Sequence, residues 1–433
     1  MTDLGVSLHA WLDRLDTANN VDWYEHLISK SFRCGCQTWT TYCQEWQRII
    51  TPPTPTPITP KAEAHSAWVH TNSTPVSDAL IALEAPRRRY IVLNPWESHL
   101  IPKIKAHNPD CLVFVYKDIS SVRSLDTNPD VRMLAAGVAY STASASGWTA
   151  RSDGGVWLQY DGYEGHYQMD VGKVGYQDTW ASNVSRMKAF GFDGVWMDNA
   201  LWFRDTYHPG VPVRGYATNE AFREAYRSFF RNVCPKLRAA GLLSVANMTN
   251  ARLVTNGWQS CLDAGLDGAF DEFWLSVDNT GTNLLPEYEQ GWKRQVAQIA
   301  YAEDKGKIAI VQPHFPAGDV KAFRYCLASY FMAYPTAGKA AIVEANGTDQ
   351  YGNPTAWHPE YDWNLGTPSG AYRSVGTNIF RRDFTQGCVV VNANKTGSTA
   401  VTIQLGGSYL NEGGASVTSV SLAGTSGTIL RKA

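Results

Sequence analysis

From about residue 88 the chain alternates short apolar runs with stretches whose apolar residues recur at helical spacing, the pattern of parallel βα units. Runs at Tyr90–Leu93, Leu112–Tyr116, Gly194–Asp198, Leu242–Asn247, Gly268–Glu272, Ile308–Gln312 and Ala340–Glu344 predict strands. An eighth is expected within 155–171, where Val156–Tyr160 and Tyr167–Val171 compete. Between them lie clear helices. After the N-cap types Thr218 and Asn219, residues Phe222, Ala225, Tyr226, Phe229, Val233 and Leu237 share one face, and Gly241 closes the helix. Tyr176, Trp180, Val184 and Met187 repeat the pattern before Gly191, as do Trp292, Val296 and Ile299 before Gly306. Asp319 caps a helix carrying Phe323, Leu327, Tyr330 and Phe331.

Eight strands alternating with helices over roughly 260 residues predict an α/β fold, a (β/α)8 barrel, assigned to residues 62–371. No glycine-rich phosphate loop follows the first strand, which argues against a dinucleotide-binding sheet. Helical periodicity stops near Tyr372. Short Val/Ile/Thr-rich runs then predict a C-terminal antiparallel β-sandwich over 372–433: Gly387–Val391, Ala400–Leu405, Ser416–Leu422 and Gly427–Leu430.

The other end of the chain has a different texture. Residues 51–60 read TPPTPTPITP, with five prolines in ten residues. Such a tract favours polyproline II, so 51–61 is expected to be a stiff linker of roughly 30 Å. It sets off a small unit at 1–50, too short to be stabilised by core burial alone. That unit holds His26, Cys34, Cys36 and Cys43, which suit a zinc ion, a disulfide or free thiols in a small core. It reads as a docking module for a larger assembly such as a virion tail. The first residues lack the basic-then-apolar layout of a signal peptide, and no apolar run reaches the ~18–20 residues of a membrane span. The expected location is therefore a virion, or the cell exterior reached without a signal peptide, after synthesis in the cytoplasm.

Charge excludes one class of partner. With 38 basic and 40 acidic residues and no basic stretch, nucleic acid is not expected. The 16 Trp and 21 Tyr point instead to sugars, because flat rings stack on pyranose faces while indole and phenol groups reach hydroxyls.

Catalytic groups of a (β/α)8 barrel come from the C-terminal ends of its strands. Two predicted strands share one form, Asp-Gly-x-x-x-acid: Asp193-Gly194 leads to Asp198, and Asp267-Gly268 leads to Glu272. Equal offsets give both acids the same side-chain parity. Two carboxylates converging on one mouth suit glycosidic cleavage, one donating a proton and one attacking or activating water. A one-residue bulge would substitute Asp271 for Glu272. The expected catalytic pair is Asp198 and Glu272. Candidate substrate-binding groups at other strand ends are Trp96, Asp118, Asp170, Asn247, Asp271, Trp274, Gln312 and His314. Glu97, Lys117 and Glu344 also end strands, and Tyr160, Tyr163, Trp202 and Trp357 are further stacking candidates. No nucleophile elbow, His-Glu-x-x-His helix or zinc-ligand spacing occurs in the barrel, and paired carboxylates need neither metal nor other cofactor.

The stretch Tyr167-Gln168-Met169-Asp170-Val171, then Tyr176 and Trp180, then Gly191-Phe192-Asp193-Gly194-Val195-Trp196-Met197-Asp198-Asn199, resembles the glycoside hydrolase family 15-like barrels. These are distantly similar to α-polygalactosaminidase-type and clan-D-like glycosidases. Arg382-Asp383-Phe384, Gly387–Asn392 and Ser426–Leu430 resemble the β-domain that follows many such barrels. The resemblance spans roughly 88–433. It implies Asp198 after the fourth strand as nucleophile or base, and Glu272 after the sixth as acid, although related clans often place Asp there. Three readings follow: a retaining or inverting glycoside hydrolase of a surface polysaccharide, a glycan-binding adhesin that does not cleave, and, compatible with either, a virion tail component.

Overall fold

The barrel is built from eight parallel strands that pair in chain order and close on themselves. They are β1 (Ser66–Val69), β2 (Arg88–Leu93), β3 (Leu112–Asp118), β4 (Gly194–Asp198), β5 (Leu243–Asn247), β6 (Gly268–Asp271), β7 (Ile308–Val311) and β8 (Ala340–Ile342). This computed structural model describes residues 64–433 except 279, 334–337, 346–350 and 355–356. The N-terminal unit, the proline-rich linker, His26, Cys34, Cys36 and Cys43 lie outside the described residues. No described helix is long and apolar enough to cross a membrane.

Strand parity sorts the core into two layers. Ala67, Val69, Tyr90, Val92, Phe114, Trp196, Val245, Phe270, Ile310 and Ala341 fill the lumen. Their neighbours in sequence, such as Trp68, Ile91, Val113, Val195, Ala246, Ala269 and Val311, pack outward with the helices. Burial on both faces removes the apolar–polar alternation by which a half-exposed strand announces itself. That is why Ser66–Val69 escapes sequence reading: four buried residues beside a proline-rich tract carry no period. The strand expected within 155–171 is not in the barrel. Glycine turns at Gly155, Gly162 and Gly165 break it, and His166–Gln168 pairs antiparallel with Ser121–Arg123 in a small ribbon after β3. One strand lost and one gained leaves Asp198 on the fourth and Glu272 beside the sixth.

The repeated Asp-Gly has a structural cause at its start. Asp193 Oδ2 accepts the Val113 amide at 2.9 Å, and Asp267 Oδ2 accepts the Ser244 amide at 3.0 Å, so each aspartate ties its strand to the preceding one. Each glycine then leaves room for a neighbour. A Cβ at Gly194 would meet the Phe114 ring at 2.4 Å, and one at Gly268 would meet Ile308 Cβ at 2.6 Å.

Among the helices, α1 (Val174–Ser185), α2 (Asn219–Ala239), α3 (Trp292–Asp304) and α4 (Val320–Ala333) match the predicted periodicities. Thr218 Oγ1 accepts the Ala221 amide and Asp319 Oδ1 the Ala322 amide, as N-caps do. Gly191 after α1 takes the left-handed conformation at φ 93°.

The C-terminal unit is antiparallel as expected. It is one curled six-stranded sheet, β9 (Arg373–Gly376), β10 (Ile379–Phe384), β11 (Gly387–Asn392), β12 (Val401–Leu410), β13 (Ser416–Leu422) and β14 (Ser426–Lys432), in spatial order β9-β10-β11-β14-β12-β13. Phe380, Phe384, Val389, Val391 and Ile429 join the main core, where Phe380 stacks on Trp292 of α3 at 4.4 Å. Ile379, Cys388, Val390, Ile403, Leu405 and Leu430 form a core on the other face. A register shift between Gln404 and Tyr409 in β12 lets the sheet fold over that core, so its own curl supplies the second layer of the expected sandwich.

Gly268→Ala should lower stability by roughly 1–3 kcal/mol, the usual cost of overpacking a filled core. Urea unfolding measures this; an unchanged midpoint would show that the β6–β7 contact is slack.

Candidate active site

The lumen side chains of β3 to β6 climb from an aromatic floor to a polar rim. Trp196 meets the Phe270 ring edge-on at 5.1 Å and lies 5.5 Å from the Tyr116 ring. One step further along each strand, on the same parity, stand Asp118, Asp198, Asn247 and Glu272. Asn247 Nδ2 donates to Asp198 Oδ1 at 3.0 Å and to Glu272 Oε2 at 2.8 Å. The N–H bonds of one amide diverge by ~120°, which puts these two oxygens about 5 Å apart and within about 5.8 Å in any geometry. Asn247 Oδ1 accepts the Thr249 hydroxyl at 2.9 Å, which fixes which way the amide faces.

Asp198 is held from three sides. Tyr116 donates its hydroxyl to Oδ2 at 2.9 Å, and the Asn199 backbone N–H donates to Oδ1 at 2.9 Å, alongside Asn247. Asn199 has φ 61°, a left-handed conformation that asparagine tolerates better than most residues. Its side chain donates to Asp118 Oδ2 at 2.9 Å and accepts from Tyr207 at 2.7 Å. Asp118, the register partner of Asp198 across β3 and β4, also accepts the Ser120 and Ser121 amides and the Ser121 hydroxyl. Glu272 accepts from Asn247 and from the Tyr351 hydroxyl.

These surroundings separate the two acids. Burial, then the negative charge of Asp118, pushes Asp198 up to about 6 against the pull of its three donors. Burial, then the charge of Asp198, pushes Glu272 up to about 8, with Asp271 adding to the rise and Asn247 opposing it. Near neutrality Asp198 is the carboxylate and Glu272 the acid, the division of labour that glycosidic cleavage uses.

Around the pair lies a cavity of about 260 Å³. The long excursion after β3 gives Ala135, Ala136, Tyr160, Tyr163 and His166, and the loop after β4 gives Tyr207. Thr71, Asn94, Trp96 and Tyr351 come from the loops after β1, β2 and β8. Tyr160 stacks on Tyr207 at 3.9 Å. The Tyr160 hydroxyl and Trp196 Nε1 are buried donors without a partner.

Comparison with known proteins bears on this arrangement. The sequence matches the model of the hypothetical glycosyl hydrolase family 15 over residues 105–388, about two thirds of the chain. The chain belongs to that family. The match takes in both acids, Asn247 and the Gly-Phe-Asp-Gly block that carries the resemblance. No curated protein sequence matches this family 15 chain. Similar solved structures include the glycoside hydrolase domain of PelA from Pseudomonas aeruginosa, at 12% identity and TM-score 0.42, covering 70% of this chain and 97% of that one. Aspergillus fumigatus Ega3 complexed with galactosamine has 12% identity and TM-score 0.40, covering 69% and 96%. The maltogenic α-amylase AmyB from Thermotoga neapolitana has 10% identity and TM-score 0.46, covering 84% and 95%.

In this family 15 barrel, Asp198, Glu272, Asn247, Asp118, Trp96, Tyr160 and Tyr163 come together at the mouth. Other candidates do not. Asp271 has the opposite parity from Glu272 and is buried on the helix side with Oδ2 unpartnered. Trp274 is fully buried, its indole N–H directed at the Gln295 carbonyl. Gln312 and His314 are fully buried and outside the cavity lining; His314 stacks on Phe273 and meets the Tyr351 ring edge-on at 6.4 Å. Asp170 lies off the cavity, accepting the Tyr216 hydroxyl and the Gly172 amide. Trp202 and Trp357 are likewise outside the lining, Trp357 beneath Arg87 and Arg88. Glu97 caps Asn94 and pairs with His70. Lys117 donates to the Val131 and Leu134 carbonyls, and Glu344 accepts from Tyr361.

Sequence reasoning missed Tyr116, Asn199, Tyr207 and Tyr351. Tyr116 was within reach, because it sits two residues before Asp118 on the lumen parity. Tyr207 and Tyr351 arrive from long loops, where no period places a side chain.

Burial lifts Asp271 to about 7. A carboxyl raised in the folded state binds its proton more tightly there, so stability falls as pH rises from about 4 to about 7. Asp271→Asn should remove that slope, gaining up to a few kcal/mol over wild type between pH 5 and 8 in urea unfolding. Turnover should stay within about ten-fold of wild type, whereas Glu272→Gln should cost about 10²–10⁴. Equal losses in the two variants would reverse the assignment of parity.

Proposed function

We propose that the protein is a retaining glycoside hydrolase of an extracellular or cell-surface polysaccharide, with Asp198 as nucleophile and Glu272 as acid and then base. The observation that carries this reading is the single Asn247 amide bonded to both carboxylates. The nearest oxygens of the two carboxyls, about 5 Å apart by that shared amide, favour the ~5–5.5 Å spacing of retaining enzymes over the ~6.5–9.5 Å that admits a water in inverting ones.

In the first step Asp198 attacks the anomeric carbon while Glu272 gives its proton to the departing glycosidic oxygen. The C–O bond breaks, and the sugar is left as an ester of Asp198. In the second step Glu272, now ionised, takes a proton from water, whose oxygen displaces Asp198. The aromatic floor keeps bulk water from beneath the acids, and the three donors on Asp198 hold the attacking oxygen without quenching its charge. The free Tyr160 hydroxyl and Trp196 N–H supply donors for sugar hydroxyls, and Trp96 and Tyr163 supply faces for stacking. Neither step calls on a cofactor.

We further propose that the 1–50 unit on its proline-rich tether docks this enzyme into a larger assembly such as a virion tail. Removing residues 1–61 should then abolish incorporation and leave glycan cleavage intact.

The active form has Asp198 ionised and Glu272 protonated, so kcat/KM should trace a bell with limbs near about 6 and about 8. Asp198→Asn should lose about 10²–10⁴ or more of kcat with glycan binding kept. Proton NMR of the first-formed sugar should show the substrate's own anomeric configuration. An inverted first product makes Asp198 a base instead, and glycan binding without any release of reducing ends makes the protein an adhesin.

A further inference from the structure

Glu272 stands just past the end of β6, so the strand sets the side on which its side chain emerges but not where its carboxyl comes to rest. Two groups do. Asn247 holds Oε2, and Tyr351, from the loop after β8, holds Oε1. The two differ in kind. An amide NH2 only donates, whereas a phenol hydroxyl donates or accepts. When Glu272 is protonated, Oε2 faces a donor that cannot take its hydrogen, so the proton belongs on Oε1, where Tyr351 Oη can accept it. When Glu272 is ionised, the same hydroxyl turns and donates to Oε1.

Tyr351 is itself pinned. Its carbonyl accepts the Thr71 amide at 2.8 Å and the Asn72 amide at 3.1 Å. The next carbonyl, Gly352, accepts Trp68 Nε1 at 2.7 Å and meets His70 Nδ1 at 3.2 Å. His70 Nε2 in turn lies 2.9 Å from Glu97. The end of β1 thus serves as the anchor for a strap that carries Tyr351 to the acid.

Taking Glu272 as the acid and base of the proposed reaction, we propose that Tyr351 is its positioning residue. The hydroxyl keeps the transferable proton on Oε1 until a glycosidic oxygen competes for it, and it steadies the carboxylate during the second step. Trp68 and His70 act through Tyr351 by fixing the strap.

The test is a titration of Glu272 in the full-length protein, wild type and Tyr351→Phe, by NMR of 13C-labelled glutamate carboxyls. Glu272→Gln assigns the resonance. A hydrogen bond to a carboxylate is stronger than one to its neutral form, so loss of the hydroxyl should raise the midpoint by about one unit. The alkaline limb of kcat/KM should move up with it, and kcat should fall several-fold with KM little changed. Trp68→Phe removes the indole donor to Gly352 and should shift the midpoint the same way by less. A Tyr351→Phe midpoint within 0.2 unit of wild type overturns the proposal. A shifted midpoint in a protein that cleaves no glycan keeps the positioning role and removes the hydrolase.

Discussion

The structure turns on one amide shared by two acids. Asn247 reaches Asp198 and Glu272 from the strand between theirs, and it can do so only because all three side chains are on the lumen parity. Shift any of the three strands by one residue and a polar group swings into the helix layer, as Asp271 does. Strand register is therefore a chemical requirement here as well as a packing solution. Direct parallel pairing sets strands four, five and six side by side, and the aromatic floor beneath them raises the cost of charge.

That cost is divided unequally. Two carboxyl groups within about 5 Å in a poorly solvated mouth do not both ionise readily. Asp198 has three hydrogen-bond donors directed at it and is raised less than Glu272. Glu272 has two, and it feels both Asp198 and Asp271. A third carboxylate, Asp118, sharpens the arrangement from behind. Burial raises its carboxyl and four donors oppose that rise, and through Asn199 it sets the turn that aims Asp198. Most of the polar groups around the acids thus hold one another, whereas the Tyr160 hydroxyl and Trp196 Nε1, which also line the cavity, have no protein partner.

The sequence showed most of this where periodicity reports on burial. The helices were legible from their caps and apolar faces, and the acids from the offset they share after Asp-Gly. That offset is informative because the aspartate and glycine at its start are needed for packing at the base of the barrel, which fixes the phase of everything downstream. Ser66–Val69 was invisible because a strand buried on both faces has no alternation. The tyrosines near 160 looked like a strand because Tyr and Val favour strands wherever they occur, and only the glycine turns around them settle the matter. Trp274, Gln312 and His314 were placed at the mouth by proximity to strand ends, yet all three side chains are fully buried and outside the cavity lining. Family membership agrees with the fold; it could not have located Tyr351, which depends on where a long loop is pinned.

The most direct test of the account is to trap the sugar on the enzyme. A 2-deoxy-2-fluoro glycosyl fluoride of the released sugar slows both steps while its leaving group lets the first proceed. Intact mass should then rise by one fluoroglycosyl unit, and peptide mapping should place that unit on Asp198. A label on Glu272, or rapid turnover of the parent glycan with no adduct at any time, would contradict the assignment of nucleophile and acid.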